Sequence, residues 1–328
     1  MTWEEVKRAR ARHEAELLRK ANVLGLAVGR KVIGGEETDE PCVVILVRKK
    51  VPEEELKPRD VVPKRVDSVR TDVVETGELR ALGLPLLETQ QKPTARRRPA
   101  PGGVSVGHYR VTAGTLGCVV RRGSRAFILS NNHILADENR GRKGDPILQP
   151  APMDGGEQPQ DVIACLDEFV PIRWIPRGLR RLLPSSSRRN LVDCALAIPL
   201  QEADLADEIR LIGSIEGRDE AAIDQMVAKS GRTTGLTKGR VTHLEATVTI
   251  SYGEGRKAIF EDQILTSKMS EAGDSGSLVV SEGKRAVGLL FAGGDTVTVL
   301  NRIENVLSAL RVEVEAGKVV GEIPMGRR

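Results

Sequence analysis

Aromatic residues are scarce in this chain and make up 2% of its 328 residues. A large core must therefore be built mainly from Val, Leu, Ile and Ala, and of these Val and Ile favour β-strands. At this length, the usual range of domain sizes indicates two domains rather than one. The composition therefore predicts a mostly β protein with two domains.

An export signal and a membrane span are also lacking. The first residues, MTWEEVKRAR, contain no apolar core of a signal peptide. No stretch approaches the roughly 20 apolar residues that cross a bilayer. We therefore expect a cytoplasmic protein that does not enter a membrane. Because disulfides form mainly in oxidising compartments, we expect free thiols at the four cysteines, Cys42, Cys118, Cys165 and Cys194.

A strong excess of one charge is absent as well. The 50 basic and 46 acidic side chains leave a formal net charge of +4, which does not by itself indicate a nucleic-acid partner. Arginine clusters at 96–98 and 173–189 lack the interleaved aromatics of a stacking platform, apart from Trp174, and are predicted to be solvated loops. The segments GGEE and GRTTG do not match phosphate-binding loops. The sequence therefore predicts no nucleic acid, cofactor or metal.

The first part of the chain, residues 1–92, is predicted to be a small α+β domain. Residues 2–20 are rich in helix formers. Apolar runs then flank a Gly34-Gly35 turn, which is typical of a hairpin, and a third strand is predicted around Val69–Val74. This domain is predicted to serve regulation or oligomerisation.

The rest of the chain has a different pattern. Residues 93–103 are rich in Pro and Arg without an apolar period, as expected of a linker. Residues 104–328 consist of short apolar runs broken by Gly, Asn and Asp, which indicates a β-barrel or sandwich. The basic segment 171–190 interrupts the runs as an insertion, and residues 302–310 have the apolar spacing of a helix near the C-terminus.

Three short motifs carry candidate chemistry, in the order SNNH133, VD193CAL and GDS275GS. Acyl transfer needs a hydroxyl activated by an imidazole, a carboxylate that orients the imidazole, and N–H donors for the oxyanion. Ser275 is the candidate nucleophile, His133 the general base and acid, and Asp193 the orienting carboxylate. The N–H groups of Gly273 and Ser275 are the candidate oxyanion donors. Each motif alone is a weak signal, but their joint order and apolar flanks predict a catalytic triad.

These motifs, together with GTLGCVVRRGSRAFILSNNHIL, SGRTTGLTKGRV and AVGLLFAGG, resemble those of the chymotrypsin-like (trypsin-like) serine peptidases. The whole chain is similar to bacterial and plant members of this type that carry a small N-terminal domain. The resemblance implies a chymotrypsin-like double β-barrel and an endopeptidase that works through an acyl-enzyme. It also implies a specificity pocket at Met269 with walls at Gly293 and Gly294. Because no acid stands at Met269, an apolar side chain is expected at the cleaved position.

Three positions depart from that pattern. Ile134 stands where secreted relatives have a disulfide cysteine, so Cys118 lacks its expected partner. Phe291 stands where many relatives carry a serine that hydrogen-bonds the orienting aspartate, and Ser277 replaces a glycine. The second departure leaves the support of Asp193 open.

Two alternatives follow from these features. The protein is either an active endopeptidase on peptide or protein substrates, or a catalytically silent module of the same fold that captures peptides between its barrels. The N-terminal domain either regulates the protein, for example by forming a homo-oligomer, or is a pro-segment cut at Arg96–Arg98.

Overall fold

The computed structural model describes residues 1–81, 93–176 and 189–314. The N-terminal part contains one helix and five strands: α1 Trp3–Leu17, β1 Val23–Ile33, β2 Glu36–Val47, β3 Arg65–Val66, β4 Val69–Glu75 and β5 Arg80–Ala81. The middle part contains ten strands and one short helix: β6 Ala100–Gly102, β7 Ser105–His108, β8 Gly114–Thr115, β9 Cys118–Arg122, β10 Arg125–Ser130, α2 Asn132–Leu135, β11 Pro146–Leu148, β12 Val162–Phe169, β13 Arg189–Asn190, β14 Ala195–Pro199 and β15 Leu205–Ile209. The last part contains six strands and a helix: β16 Met226–Gly231, β17 Gly235–Ser251, β18 Lys257–Ser267, β19 Leu278–Ser281, β20 Ala286–Gly293, β21 Val297–Arg302 and α3 Ile303–Leu310.

The prediction of a mostly β fold is confirmed, and the strands form two barrels. In the first barrel the strand order is β8-β7-β11-β12-β14-β10-β9. Its two end strands are consecutive in the chain, and the residues between them close the ring. Leu116 N–H donates to Val104 (2.9 Å), whereas Gly117 N–H donates to Leu129 (2.9 Å).

The second barrel is a closed ring of six strands. Its order is β18-β21-β20-β19-β16-β17, and β17 pairs back onto β18. Each barrel has its own apolar core, and in the second it includes Val241, Ile264, Leu290 and Leu300, all fully buried. Aliphatic side chains therefore fill the barrel, as the scarcity of aromatics predicts.

The N-terminal part contains the predicted helix, hairpin and third strand. Helix α1 begins at a capping box in which Thr2 Oγ1 accepts from Glu5 N–H (3.3 Å), and it ends at Leu17, three residues earlier than predicted. Gly34 and Gly35 have φ of +63° and +90°, the left-handed region that a tight hairpin turn uses. Strand β4 then pairs in parallel with β2.

The N-terminal strands also continue the sheet of the second barrel. Strand β1 lies antiparallel to β17, with Gly25 opposite Val248 and Val28 opposite Leu244. The N-terminal part is therefore hydrogen-bonded to the barrel through a strand pair and is not joined to it by a linker alone.

Several predicted segments differ from their prediction or lie partly outside the described residues. Of the predicted linker 93–103, residues Ala100–Gly102 form β6, which pairs in parallel with β15. Most of the predicted insertion 171–190 and the C-terminal residues 315–328 lie outside the described residues. Across the described ranges, no helix has the length and apolarity needed to cross a membrane. No group of three or more His, Cys, Asp or Glu suited to a metal ion occurs there either.

Candidate active site

His133 and Asp193 emerge at the same end of two neighbouring strands of the first barrel. Strands β10 and β14 are paired, with Ser130 opposite Ala195. His133 lies in the one-turn helix α2 that follows β10, and Asp193 lies just before β14. Two motifs that are 60 residues apart in the sequence are therefore brought into contact by one strand pair.

The two side chains form a buried, directly bonded pair. His133 Nδ1 lies 2.7 Å from Asp193 Oδ2, and the His133 backbone N–H donates to Asp193 Oδ1 (3.2 Å). Asp193 is fully buried and His133 is 8% exposed. A carboxylate only accepts, so Nδ1 carries the proton and donates it in this bond. Nε2 is then the basic nitrogen.

The backbone of Asp193 is held by two asparagines. Asn131 donates its side-chain N–H to the Asp193 carbonyl oxygen (2.8 Å). Asn301, on β21 of the second barrel, accepts from Asp193 N–H (2.9 Å) and donates to Gln263 Oε1 (2.7 Å). The position of the carboxylate is therefore fixed by both barrels.

Tyr252 supplies a hydroxyl to Asp193, a contact that the sequence motifs do not predict. Phe291 has no donor on its side chain, but the Tyr252 hydroxyl donates to Asp193 Oδ2 (2.8 Å). The Tyr252 ring also stands edge-on to His133, with the ring centroids 5.9 Å apart. Burial is the main reason why the pKa of Tyr252 lies well above its ordinary value, with the Asp193 carboxylate acting in the same direction. The hydroxyl therefore stays protonated and serves as a donor.

The scarce aromatics gather at this site. Trp174, Tyr252, Phe260 and Phe291 form a continuous series of ring contacts, with successive centroids 5.1, 6.3 and 4.8 Å apart. These are four of the eight aromatic residues of the chain (four Phe, two Trp and two Tyr). These rings come together only in the folded chain, so no local sequence pattern identifies Tyr252.

Ser275 lies on a tight turn that precedes β19 in the second barrel. Gly273 and Gly276 in this turn have φ of +94° and +95°, where a side chain would be strained. At Gly276 a Cβ would also lie 2.1 Å from Ser130 Oγ. Glycine is thus required on both sides of the serine, and the turn lies directly against the strand that leads to His133.

Asp274 fixes this turn from inside the barrel. Its Oδ1 accepts from the N–H groups of Thr233 (2.9 Å) and Thr234 (3.1 Å). Its Oδ2 lies 3.1 Å from Lys229 Nζ, and both side chains of this ion pair are fully buried. Burial lowers the pKa of Lys229, and the Asp274 charge opposes that shift. Removing one partner of a buried ion pair costs about 3–5 kcal/mol, so the pair holds the turn firmly. The SGRTTG motif therefore positions the nucleophile turn.

The first barrel also holds this turn. Thr115 N–H donates to the Ser275 carbonyl oxygen (2.8 Å), and Thr115 Oγ1 donates to that of Gly273 (2.9 Å). In the described chain, the N–H groups of Gly273 and Ser275 donate to no protein acceptor. Both predicted oxyanion donors are therefore unengaged.

The serine hydroxyl is not bonded to the imidazole in this structure. Ser275 Oγ donates to the Phe291 carbonyl oxygen (3.2 Å). His133 Nε2 is buried and has no hydrogen-bond partner among the described residues, and Ser275 is itself fully buried. The structure thus brings His133 and Asp193 together and leaves the Ser275 to His133 bond unformed.

The predicted pocket residues lie in different surroundings. Met269 is 4% exposed and packs in the core of the second barrel, beside Val241 and Leu300. Gly293 and Gly294 lie at the end of β20, where residues of the N-terminal part contact them. Arg80 pairs with Gly293, and a Cβ at Gly294 would lie 2.2 Å from the Thr76 carbonyl oxygen.

The other histidines have other partners. His108 is also paired with a carboxylate, as its Nε2 lies 3.0 Å from Asp145 Oδ2. His108 Nδ1 accepts from Arg110 N–H (3.2 Å), so both of its nitrogens are engaged. His133 therefore differs from His108, because its Nε2 has no hydrogen-bond partner within the described ranges.

Comparisons with known proteins confirm the resemblance to serine peptidases. Residues 1–74 match the family described as the NARROW LEAF 1 N-terminal domain. Over 79 residues the chain is 44% identical to Serine protease 2 of Streptomyces fradiae, a match that covers 24% of this chain and 42% of that protein. The chain thus matches less than half the length of this relative.

Two solved bacterial protease structures match over a longer part of this chain, but with lower sequence identity. Protease A of Thermobifida fusca is 20% identical with a TM-score of 0.46, and the match covers 66% of this chain and 98% of that one. A chymotrypsin of Cellulomonas bogoriensis is 17% identical with a TM-score of 0.45, again over 66% of this chain and 98% of that one.

Proposed function

We propose that the protein is a serine endopeptidase in which Ser275, His133 and Asp193 act as a catalytic triad. The observation that carries the proposal is the buried 2.7 Å bond between His133 Nδ1 and Asp193 Oδ2. This bond fixes the tautomer that leaves Nε2 free to take a proton. The serine turn, held by Asp274 in the second barrel, packs against Ser130 of the strand that leads to His133, which supports the proposal.

The reaction proceeds through an acyl-enzyme. Ser275 Oγ attacks the carbonyl carbon of a peptide bond while its proton passes to His133 Nε2, and Asp193 stabilises the imidazolium. The imidazolium then gives the proton to the leaving amine, and the C–N bond breaks. Water then attacks the ester carbonyl carbon by the same steps, which releases the acid and restores Ser275.

The oxyanion formed in each step is received by the N–H groups of Gly273 and Ser275. Both groups are unengaged within the described residues, so they need not break a protein hydrogen bond in order to donate. Losing one such donor typically costs about 2.7–4 kcal/mol of transition-state stabilisation. For attack to begin, Ser275 Oγ must turn from the Phe291 carbonyl oxygen toward His133 Nε2.

Labelling with a fluorophosphonate tests the proposal, because this probe reports an activated serine without a known substrate. We expect the full chain to be labelled. Labelling should disappear in Ser275→Ala and fall by about a thousandfold or more in His133→Ala, since triad members act as a unit. Ser281→Ala is the matched control, because Ser281 is also a buried serine, on β19, and its Oγ has no hydrogen-bond partner in the described part of the chain.

A silent peptide-binding module is the second candidate. The bond from Ser275 Oγ to the Phe291 carbonyl oxygen favours it, because a hydroxyl engaged in this way is not activated. Equal labelling of the wild type, Ser275→Ala and Ser281→Ala chains would support this candidate and would contradict activity of the unmodified full chain.

A further inference from the structure

Along one edge of β20, the strand that pairs with it changes beside Ser275, the proposed nucleophile. Strand β19 pairs with the first half of β20. The Leu290 carbonyl oxygen then accepts from Gly276 N–H (2.8 Å), and the Phe291 carbonyl oxygen accepts from Ser275 Oγ. A peptide whose reactive carbonyl lies beside Ser275 can continue this ladder by adding a strand to the remaining edge.

That remaining edge is already occupied by the protein's own N-terminal part. In β5, Ala81 pairs with Ala292 and Arg80 pairs with Gly293, in antiparallel orientation. On its other side, Arg80 pairs with Ser251 of β17. Strand β5 therefore fills the gap between two strands of the second barrel, next to the nucleophile.

The direction of β5 matches that of an extended peptide entering the site. From Arg80 to Ala81 the chain passes from the position opposite Gly293 to the position opposite Ala292. It thus runs toward Phe291, whose carbonyl oxygen accepts from Ser275. A substrate strand that pairs with this edge in antiparallel orientation runs in the same direction.

The residues before β5 anchor it. The Thr76 carbonyl oxygen accepts from Asp295 N–H (2.9 Å), and the Leu79 carbonyl oxygen accepts from Ser251 N–H (3.0 Å). The Leu79 side chain is fully buried in the same apolar cluster as Phe291 and Ala292. We call residues 76–81 the strap.

We propose that the strap is an internal occupant of the substrate-binding edge of β20, which an extended peptide must displace before the proposed peptidase can act. The inference rests on the proposed function. Only the fraction of molecules with a displaced strap binds substrate, so the apparent activity is the intrinsic activity multiplied by that fraction.

Loosening the anchor should therefore raise activity. Leu79→Ala removes the buried side chain, and we expect an increase of about tenfold or more in the rates of fluorophosphonate labelling and of peptide hydrolysis, because the open population grows. Leu17→Ala is the matched control. Leu17 is an equally buried leucine of the N-terminal part but lies in α1, so its loss should leave both rates unchanged.

A second variant displaces the strap without removing core atoms. Gly77 has φ of +68°, and a Cβ there would lie 2.1 Å from Asp295 Oδ2, so Gly77→Ala should push the strap from the edge and raise both rates. Gly34→Ala carries a similar backbone penalty at φ of +63° but meets open space. It should behave like the wild type.

The outcomes separate this inference from the proposed function. Faster labelling of Leu79→Ala and Gly77→Ala, abolished when Ser275→Ala is added, supports the strap. Equal labelling of all chains with Ser275 intact contradicts the proposed role of the strap but remains consistent with the proposed function. No Ser275-dependent labelling in any chain overturns both.

Discussion

At the scale of single residues, the carboxylate of Asp193 is the point on which the site depends. It accepts from the imidazole and the backbone N–H of His133 and from the hydroxyl of Tyr252. A buried carboxylate is stable only when its lone pairs are satisfied. Tyr252 is thus a positioning residue, which acts on His133 through Asp193.

We predict that Tyr252→Phe lowers kcat with little change in KM. A hydrogen bond to a charged group is worth about 1.5–3 kcal/mol, so its loss should slow hydrolysis by about ten- to a hundredfold. Steady-state kinetics on a peptide substrate measures both constants. Tyr109→Phe, at the other tyrosine of the chain, should leave them unchanged, and a Tyr252→Phe enzyme with wild-type kcat would refute the role.

The sequence was sufficient to predict His133, Asp193 and Ser275 as candidates, because each lies in a short motif between apolar runs. Tyr252 could not be predicted in this way. It lies 59 residues from Asp193, and their contact arises only when the end of β17 reaches the first barrel. The role of Asp274 was missed for a similar reason, since its partners Lys229 and Thr233 belong to another hairpin. The spacing of Met269 to Ser275 does not reveal that the core of the second barrel covers the Met269 side chain.

At the scale of secondary-structure elements, β17 connects the parts of the molecule. This 17-residue strand pairs with β16 at its start, with β18 along most of its length and with β1 near Leu244 and Val248. The sequence predicts the N-terminal strands through their apolar runs and the Gly34-Gly35 turn. It does not predict that they join the barrel sheet, because pairing between distant strands leaves no local pattern. Strand β1 therefore covers an edge of β17 that would otherwise be exposed.

We predict that residues 104–328 alone are poorly soluble. Without β1, the buried edge of β17 around Ala246–Val248 would be unpaired, and exposed apolar edges promote aggregation. Size-exclusion chromatography should show aggregates for this fragment, and co-expression with residues 1–92 should restore a discrete species. A monodisperse fragment that melts at the temperature of the full chain would contradict this prediction.

At the scale of the whole molecule, the double barrel forms without a disulfide staple. Cys42, Cys118 and Cys194 are buried free thiols, and Cys165 is half-buried. Burial raises the pKa of Cys42 and that of Cys118 to about 12, so these thiols are protonated at neutral pH. Stability comes instead from the aliphatic barrel cores and from the strand pairing between the parts.

We predict that the folded protein resists both alkylation and reductant. Only thiolates react quickly, so in the native protein at neutral pH iodoacetamide should modify no cysteine other than Cys165. In denaturant it should modify all four cysteines. Intact-mass spectrometry counts the adducts, and Cys165→Ser is the control that removes the half-buried thiol. The melting temperature should be the same with and without dithiothreitol. Rapid addition of several adducts to the native chain would show that the barrels open.

The position of the strap early in the chain has a consequence for biosynthesis. Arg80–Ala81 leave the ribosome before His133, Asp193 and Ser275 have been made, and nascent proteins generally fold from their N-terminal end. The covering strand is thus available before the nucleophile exists. Its pairing partners on β20, Ala292 and Gly293, are made only after Ser275. A growing chain therefore has the blocking segment at hand when the edge beside its nucleophile first forms, and translation allows this edge to be covered as soon as it is assembled.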